Sequence, residues 1–198
     1  AIEGGTVWTS TQGDGLVGYD GTVWVDHLAA QGGIRQNNWN YTVFVDDAGD
    51  KWVTRDGDQT VDRLDDAGTF SDTADDEWTY YSHPGEFEHY RVFSMAEDAD
   101  GNKWFGMRDE NHNIAGTVEY LVEHDPATAA DDEWFHFDNA WSPDSTEFAD
   151  DDVRAVAVDT SGRLWIGYYS TGLDVWDVGD PETYADDRGE SPVRFAYR

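Results

Sequence analysis

Asp159-Thr160-Ser161-Gly162-Arg163-Leu164-Trp165-Ile166-Gly167 is the stretch on which the reading of the fold turns. Its skeleton, Asp-x-x-Gly-x-x-Trp, returns at Asp46/Gly49/Trp52 and at Asp98/Gly101/Trp104, and a worn copy with Ile2 in the Asp place runs through Gly5 to Trp8. Trp8, Trp52, Trp104 and Trp165 stand 44, 52 and 61 residues apart. Spacings of that size mark an array of supersecondary units. Within each copy, Asp can accept a hydrogen bond from backbone two residues on, and Gly supplies positive φ where the chain reverses. The Asp residues therefore read as structural, each closing a tight turn between two apolar strands.

The copies agree beyond the turn. Ahead of it lie Tyr41 to Val45, Tyr90 to Met95 and Val153 to Val158, which read as inner strands. After it come Lys51 to Thr54, Lys103 to Gly106 and Leu164 to Gly167. Third strands are predicted at Gly15 to Asp20, Thr60 to Leu64, Thr117 to Leu121 and Gly172 to Asp177. Fourth, aromatic strands are predicted at Thr22 to Val25, Trp78 to Tyr81, Trp134 to Phe137 and Val193 to Tyr197. Four short strands per repeat, with turn residues between them, describe an all-β chain: a β-propeller of about four blades of four antiparallel strands. The repeats fall at about 1–38, 39–88, 89–150 and 151–198 of one domain. Trp8, Trp52, Trp104 and Trp165 are expected between neighbouring blades. Only Ala1-Ile2-Glu3 precedes the Gly4-Gly5 turn, so the first blade is expected to lack its inner strand and to leave an edge open to strand addition.

The wording Asp159 to Gly167, followed by Gly172-Leu173-Asp174-Val175-Trp176-Asp177, resembles the two-component-regulator propeller repeat, as does Gly13 to Asp20. The resemblance covers nearly the whole chain. It implies a propeller of the exported, sensor-like kind, and it is specific for fold rather than function, because propellers serve as sensors, lectins, enzymes and scaffolds.

Forty-three acidic residues face 12 basic ones for a formal charge of −31, and Lys occurs only at positions 51 and 103. Such a chain would suggest disorder, but 15% aromatic residues and clear strand periodicity argue for a folded core. The charge repels nucleic acid and anionic membranes and strains the compact state at low salt. It points to salt adaptation, or to a surface loaded with divalent cations. Cys is absent, so no disulfide framework exists. No apolar run is long enough to span a membrane. The chain opens on Ala without a signal segment, as expected of a processed, exported or cell-surface protein, and Asn40-Tyr41-Thr42 is a candidate glycosylation site.

Strand alternation places the Asp-x-x-Gly turns on one face and the connections Ser82 to Tyr90, Asp109 to Gly116 and Asp138 to Asp152 on the other. Those connections carry His83, His89, His112 and Trp141, the candidate ligand residues. No catalytic residue is assigned: there is no Ser nucleophile elbow, no His-Glu-x-x-His and no Gly-rich phosphate loop. No cofactor is expected. Asp98-Ala99-Asp100-Gly101-Asn102 lacks the Gly and Glu placement of an EF-hand, leaving Asp98 and Asp100 as candidate ligands of a surface Ca²⁺ only.

Two functions fit best. One is a non-catalytic exported module working by protein–protein contact, as a sensor-type propeller or a self-associating assembly or filament subunit; its partners would be its own copies or another exported protein. The other is a glycan binder stacking sugars on Trp141 and Trp39. A glycan-cleaving enzyme ranks third, since nothing singles out its two carboxylates. With a formal charge of −31, the melting temperature is expected to rise from low to molar salt and on adding Ca²⁺. A flat response in a thermal melt to both would contradict salt adaptation and metal loading together.

Overall fold

The computed structural model describes residues 1–11, 15–27, 40–55, 61–81, 90–109, 117–124, 128–137, 152–177 and 193–194. Among them are sixteen strands and no helix long and apolar enough to cross a membrane. The first sheet holds β1 (Ile2–Glu3), β2 (Thr6–Thr11), β3 (Gly15–Tyr19) and β4 (Trp24–His27). The second holds β5 (Asn40–Val45), β6 (Lys51–Arg55), β7 (Val61–Asp65) and β8 (Glu77–Tyr81). The third holds β9 (Tyr90–Glu97), β10 (Lys103–Asp109), β11 (Thr117–Val122) and β12 (Glu133–Phe137). The fourth holds β13 (Val153–Val158), β14 (Arg163–Tyr168), β15 (Leu173–Asp177) and β16 (Val193–Arg194). Each is an antiparallel meander in chain order, the blade of a β-propeller.

One carboxylate organises each of the three full turns. The Asp N–H donates to the carbonyl four residues on, and the Gly N–H donates back to the Asp carbonyl, at Asp46, Asp98 and Asp159 alike. Oδ1 accepts the N–H of Asp50 at 2.8 Å, Asn102 at 3.0 Å and Arg163 at 3.2 Å. Oδ2 accepts the indole Nε1–H of Trp52 at 2.7 Å, Trp104 at 3.3 Å and Trp165 at 2.9 Å. Gly49, Gly101 and Gly162 have φ of 94°, 89° and 78°, which only glycine adopts freely. The worn first repeat keeps the indole bond by another route. Glu3, one residue beyond the Asp place, reaches Trp8 Nε1 through Oε2 at 3.0 Å.

Two strand assignments change. The inner place of the first sheet is occupied: Ile2 pairs with Val7 and Glu3 with Thr6, and Ala1 and Trp8 exchange both backbone bonds. Three residues suffice because the Gly4-Gly5 turn, at φ 53° and 106°, reverses the chain without a longer loop. The fourth strand of that sheet begins at Trp24 rather than Thr22. Asp20 Oδ1 accepts the backbone N–H groups of Thr22 and Val23, holding 20–23 as a turn.

The chain divides into two units, Ala1–Arg91 and Val92–Arg198. In the first, Trp8 and Leu16 pack with Val53, Leu64, Val43, Val45 and Trp78 of the second sheet and with Phe70 from the connection between β7 and β8. A Cβ on Gly18 would meet Phe70 at 2.5 Å, so glycine there lets Phe70 close edge-on over Trp8. In the second unit, Ala96, Trp104, Val118 and Tyr120 of the third sheet pack with Val153, Val156, Leu164, Ile166 and Trp176 of the fourth. The rule is common to both: the Trp face of one blade meets the opposite face of the next.

Trp165 departs from the sequence expectation. It is 38% exposed where Trp8, Trp52 and Trp104 are at most 1%. The four tryptophans therefore differ in worth. Trp104→Ala is expected to cost about 3–5 kcal/mol in urea unfolding at molar salt, and Trp165→Ala under about 1 kcal/mol. Equal losses would mean that both faces are covered.

Candidate protein-contact site

Part of the polar chemistry of the described residues lies inside the blades. Lys51 stands one residue before Trp52 on the opposite strand face, buried and pointing at the first sheet. Its Nζ pairs with Glu3 at 2.9 Å and Asp66 at 3.0 Å and lies 5.0 Å from the Trp8 ring. Glu3 thus holds both the indole of its own blade and the lysine of the next. Beside this seam His27 Nδ1 meets Asp76 Oδ2 at 3.0 Å, with both side chains enclosed and His27 lying between Trp8 and Trp78. Burial is the main force raising Asp76, to about 6, with Asp66 and Asp75 adding repulsion. Burial likewise lowers His27, against the pull of Asp66 and Asp26.

A second buried feature repeats in register. Asp62, Glu119 and Asp174 lie across from Val53, Phe105 and Ile166, the residues that follow each repeat Trp, and all three are fully buried. Glu119 pairs with His136, and Asp174 Oδ2 accepts the Tyr168 hydroxyl at 2.8 Å. In the first sheet Val17 takes the same place, across from Thr9. A histidine–carboxylate pair is thus walled in by tryptophans, and three acids are sealed in mid-sheet.

Some apolar side chains face solvent. On the first sheet, pairing of Ile2 with Val7, Val7 with Tyr19 and Tyr19 with Trp24 sets these four side chains on one face. Ile2 is 76% exposed, Val7 46% and Trp24 63%, and Trp24 stacks on Tyr19 at 4.4 Å between centroids. On the fourth sheet, pairing of Ala157 with Trp165 and Ala155 with Gly167 sets exposed alanines beside Trp165. Asp159 holds that indole, and its carboxyl is drawn well below the usual range by the Trp165 and Arg163 hydrogen bonds.

The residues singled out from the sequence fare unevenly. His83, His89, His112, Trp141 and Trp39 lie outside the described residues, as does the side chain of Asn40, whose backbone opens β5. Asp98, a candidate Ca²⁺ ligand, has both oxygens engaged: Oδ1 by the N–H groups of Asp100 and Asn102, Oδ2 by Trp104. Among the described residues no three His, Asp or Glu side chains gather as a cation would need. His27 and Asp76 carried no spacing signal, because their meeting depends on how the first blade packs on the second.

No family model matches the sequence, and no curated protein matches it. Solved structures do. PorZ, a bacterial surface component of the type-IX secretion system of Porphyromonas gingivalis, aligns over 96% of this chain and 25% of its own, with TM-score 0.71 and 16% identity. Virginiamycin B lyase from Staphylococcus aureus aligns over 100% of this chain and 54% of its own, with TM-score 0.64 and 11% identity. YCF48 bound to D1 peptide aligns over 91% and 48%, with TM-score 0.53 and 10% identity. The likeness is one of β-propeller fold, and the chain spans from a quarter to about half the length of these structures.

The buried dyad gives a pH dependence. Since Asp76 is raised above its ordinary 3.8, its contribution to stability is full below that pH and is lost as pH climbs through about 6. His27, lowered by burial, acts oppositely and loses its contribution on acidification. Asp76→Asn keeps the uncharged form at every pH. In urea unfolding, the variant is expected to gain about 1–2 kcal/mol on wild type from about pH 4.5 to about pH 7.5. A difference constant with pH would contradict a buried, raised carboxyl.

Proposed function

We propose that this chain is a non-catalytic, exported β-propeller module of the two-component-regulator repeat type, acting by protein–protein contact. The observation that carries the reading is a division of labour. Groups able to do chemistry, His27, Asp76, Glu119 and Asp174, are enclosed or paired within the sheets, while aromatic and aliphatic side chains stand on open faces at Trp24 and Trp165. Exposed apolar patches on a chain of such charge mark contact surfaces. A bacterial surface component and a peptide-bound protein among the similar folds are in keeping with this. The acidity excludes nucleic acid as a partner by repulsion.

One observation favours a second reading. The Tyr19–Trp24 stack, beside Asp20 and Asp26, is a flat aromatic platform next to acceptor oxygens, which suits a sugar. A photo-crosslinking phenylalanine analogue at Trp24 or Trp165, in the protein's native extracellular medium at molar salt, distinguishes the two. Protein-mass adducts from both positions, and none from exposed Thr73, are expected. Retention on a glycan array that Trp24→Ala abolishes, without protein adducts, would overturn the protein-contact reading, as would turnover of a streptogramin by the purified chain.

A further inference from the structure

Within the first unit, residues 66–76, which join β7 to β8, fold back over the first sheet and touch it at two places. Phe70 stands edge-on to Trp8, ring centroids 5.5 Å apart, in the notch left by Gly18. Asp76 Oδ2 lies 3.0 Å from His27 Nδ1, and the two side chains are only 6% and 4% exposed. The segment is also bonded to itself. Thr69 and Asp72 donate their N–H groups to the carbonyls of Asp66 and Thr69, the Thr69 hydroxyl donates to Asp75, and Asp72 Oδ1 accepts the N–H of Ala74. Pairing of Asp65 with Glu77 closes its base, so it can leave the first sheet without unpairing β7 from β8.

One attachment is apolar and the other ionisable. The enclosed Asp76 carboxyl stands in poor company for a charge. Asp66, Asp75 and Asp72 repel it, and Lys51, the cation acting on it, is already shared by Glu3 and Asp66. His27 feels Asp66, Asp26 and Lys51, and among the described residues its Nε2 is enclosed without a hydrogen-bond partner. We infer that residues 66–76 form a pH-gated strap, seated on the first sheet in mild acid and lifted from it as a unit toward neutral pH, while both blades stay folded. The sign follows from the two groups. Burial, with Asp66 next, raises Asp76 to about 6, so its support for the seated form is full below its ordinary 3.8 and is lost as pH climbs through about 6. His27, lowered chiefly by burial, works the other way and loses its support on acidification from its ordinary 6.5. Asp76 is moved further and sets the net direction. Lifting uncovers the Gly18 notch and the Phe70 side of the Trp8 ring. It leaves the Glu3 bond to Trp8 Nε1 in place, because neither residue belongs to the strap.

Papain cleavage inside 66–76 of the whole chain, in molar NaCl, reads the lifted population when each rate is divided by that on a free peptide of the same residues. From about pH 4.5 to about pH 7.5, this relative rate is expected to rise roughly tenfold in wild type. Asp76→Asn, uncharged throughout, is expected to show no rise. His27→Gln leaves Asp76 as the titrating partner and is expected to keep the rise. Hydrogen exchange separates lifting from melting: protection of the β6 and β7 amides, corrected for intrinsic rates, is expected to hold at both pH values. A wild-type rate that does not move with pH would overturn the inference. So would an equal rise in Asp76→Asn, loss of the rise in His27→Gln, or loss of β6 and β7 protection together with the strap.

Discussion

The bond from a turn carboxylate to the indole N–H six residues later is the constraint on which the rest depends. A tryptophan in the second strand of a blade must bury both its ring and one polar N–H, and a buried donor without a partner costs about 1–3 kcal/mol. The Asp that already closes the preceding turn satisfies it. Turn and ring are thereby locked together, and for Trp8 and Trp104 the ring lies on the face that meets the next blade. Glu3 shows that the geometry is selected rather than the residue type: with Ile2 in the Asp place, the longer acid one position later makes the same bond to Trp8. Glu3 then holds Lys51 too, tying two blades through a single carboxylate.

Acidity has two distinct uses in this chain. Inside, acids are few and specific: Asp46 and Asp98 hold tryptophans, Asp66 and Glu97 hold the two lysines, and Asp62, Glu119 and Asp174 occupy one register position. Both lysines of the sequence are buried beside carboxylates. Outside, Asp dominates loops and turns, as at 65–77, where it caps its own backbone through Asp65 and Asp72. A surface of this kind leaves repulsion between copies as the term that any association has to overcome.

The fold was legible because its signals are local. Asp-x-x-Gly-x-x-Trp spans seven residues, and the strand alternation beside it spans five or six, so blade and strand order follow from short windows. The errors have equally physical sources. Ile2–Glu3 was too short to read as a strand, although glycine turns let two residues pair, and β4 slid by two residues because Asp20 caps a turn through its side chain. Trp165 carries the best copy of the motif and is nonetheless open to solvent, since burial depends on what packs against a blade and not on the blade's own residues. The His27–Asp76 pair was invisible for the same reason: residues 49 positions apart meet only when one blade lies on another.

Exchange of the indole N–H protons with solvent, followed by ¹⁵N-resolved NMR on dispersed protein, tests the account most directly. All four repeat tryptophans donate to a turn or near-turn carboxylate, so the bond is common and only the exposure of the ring differs. The account predicts slow exchange at Trp8, Trp52 and Trp104 and fast exchange at Trp165. Trp165 as protected as Trp104 in the dispersed state, or Trp104 as labile as Trp165, would contradict it.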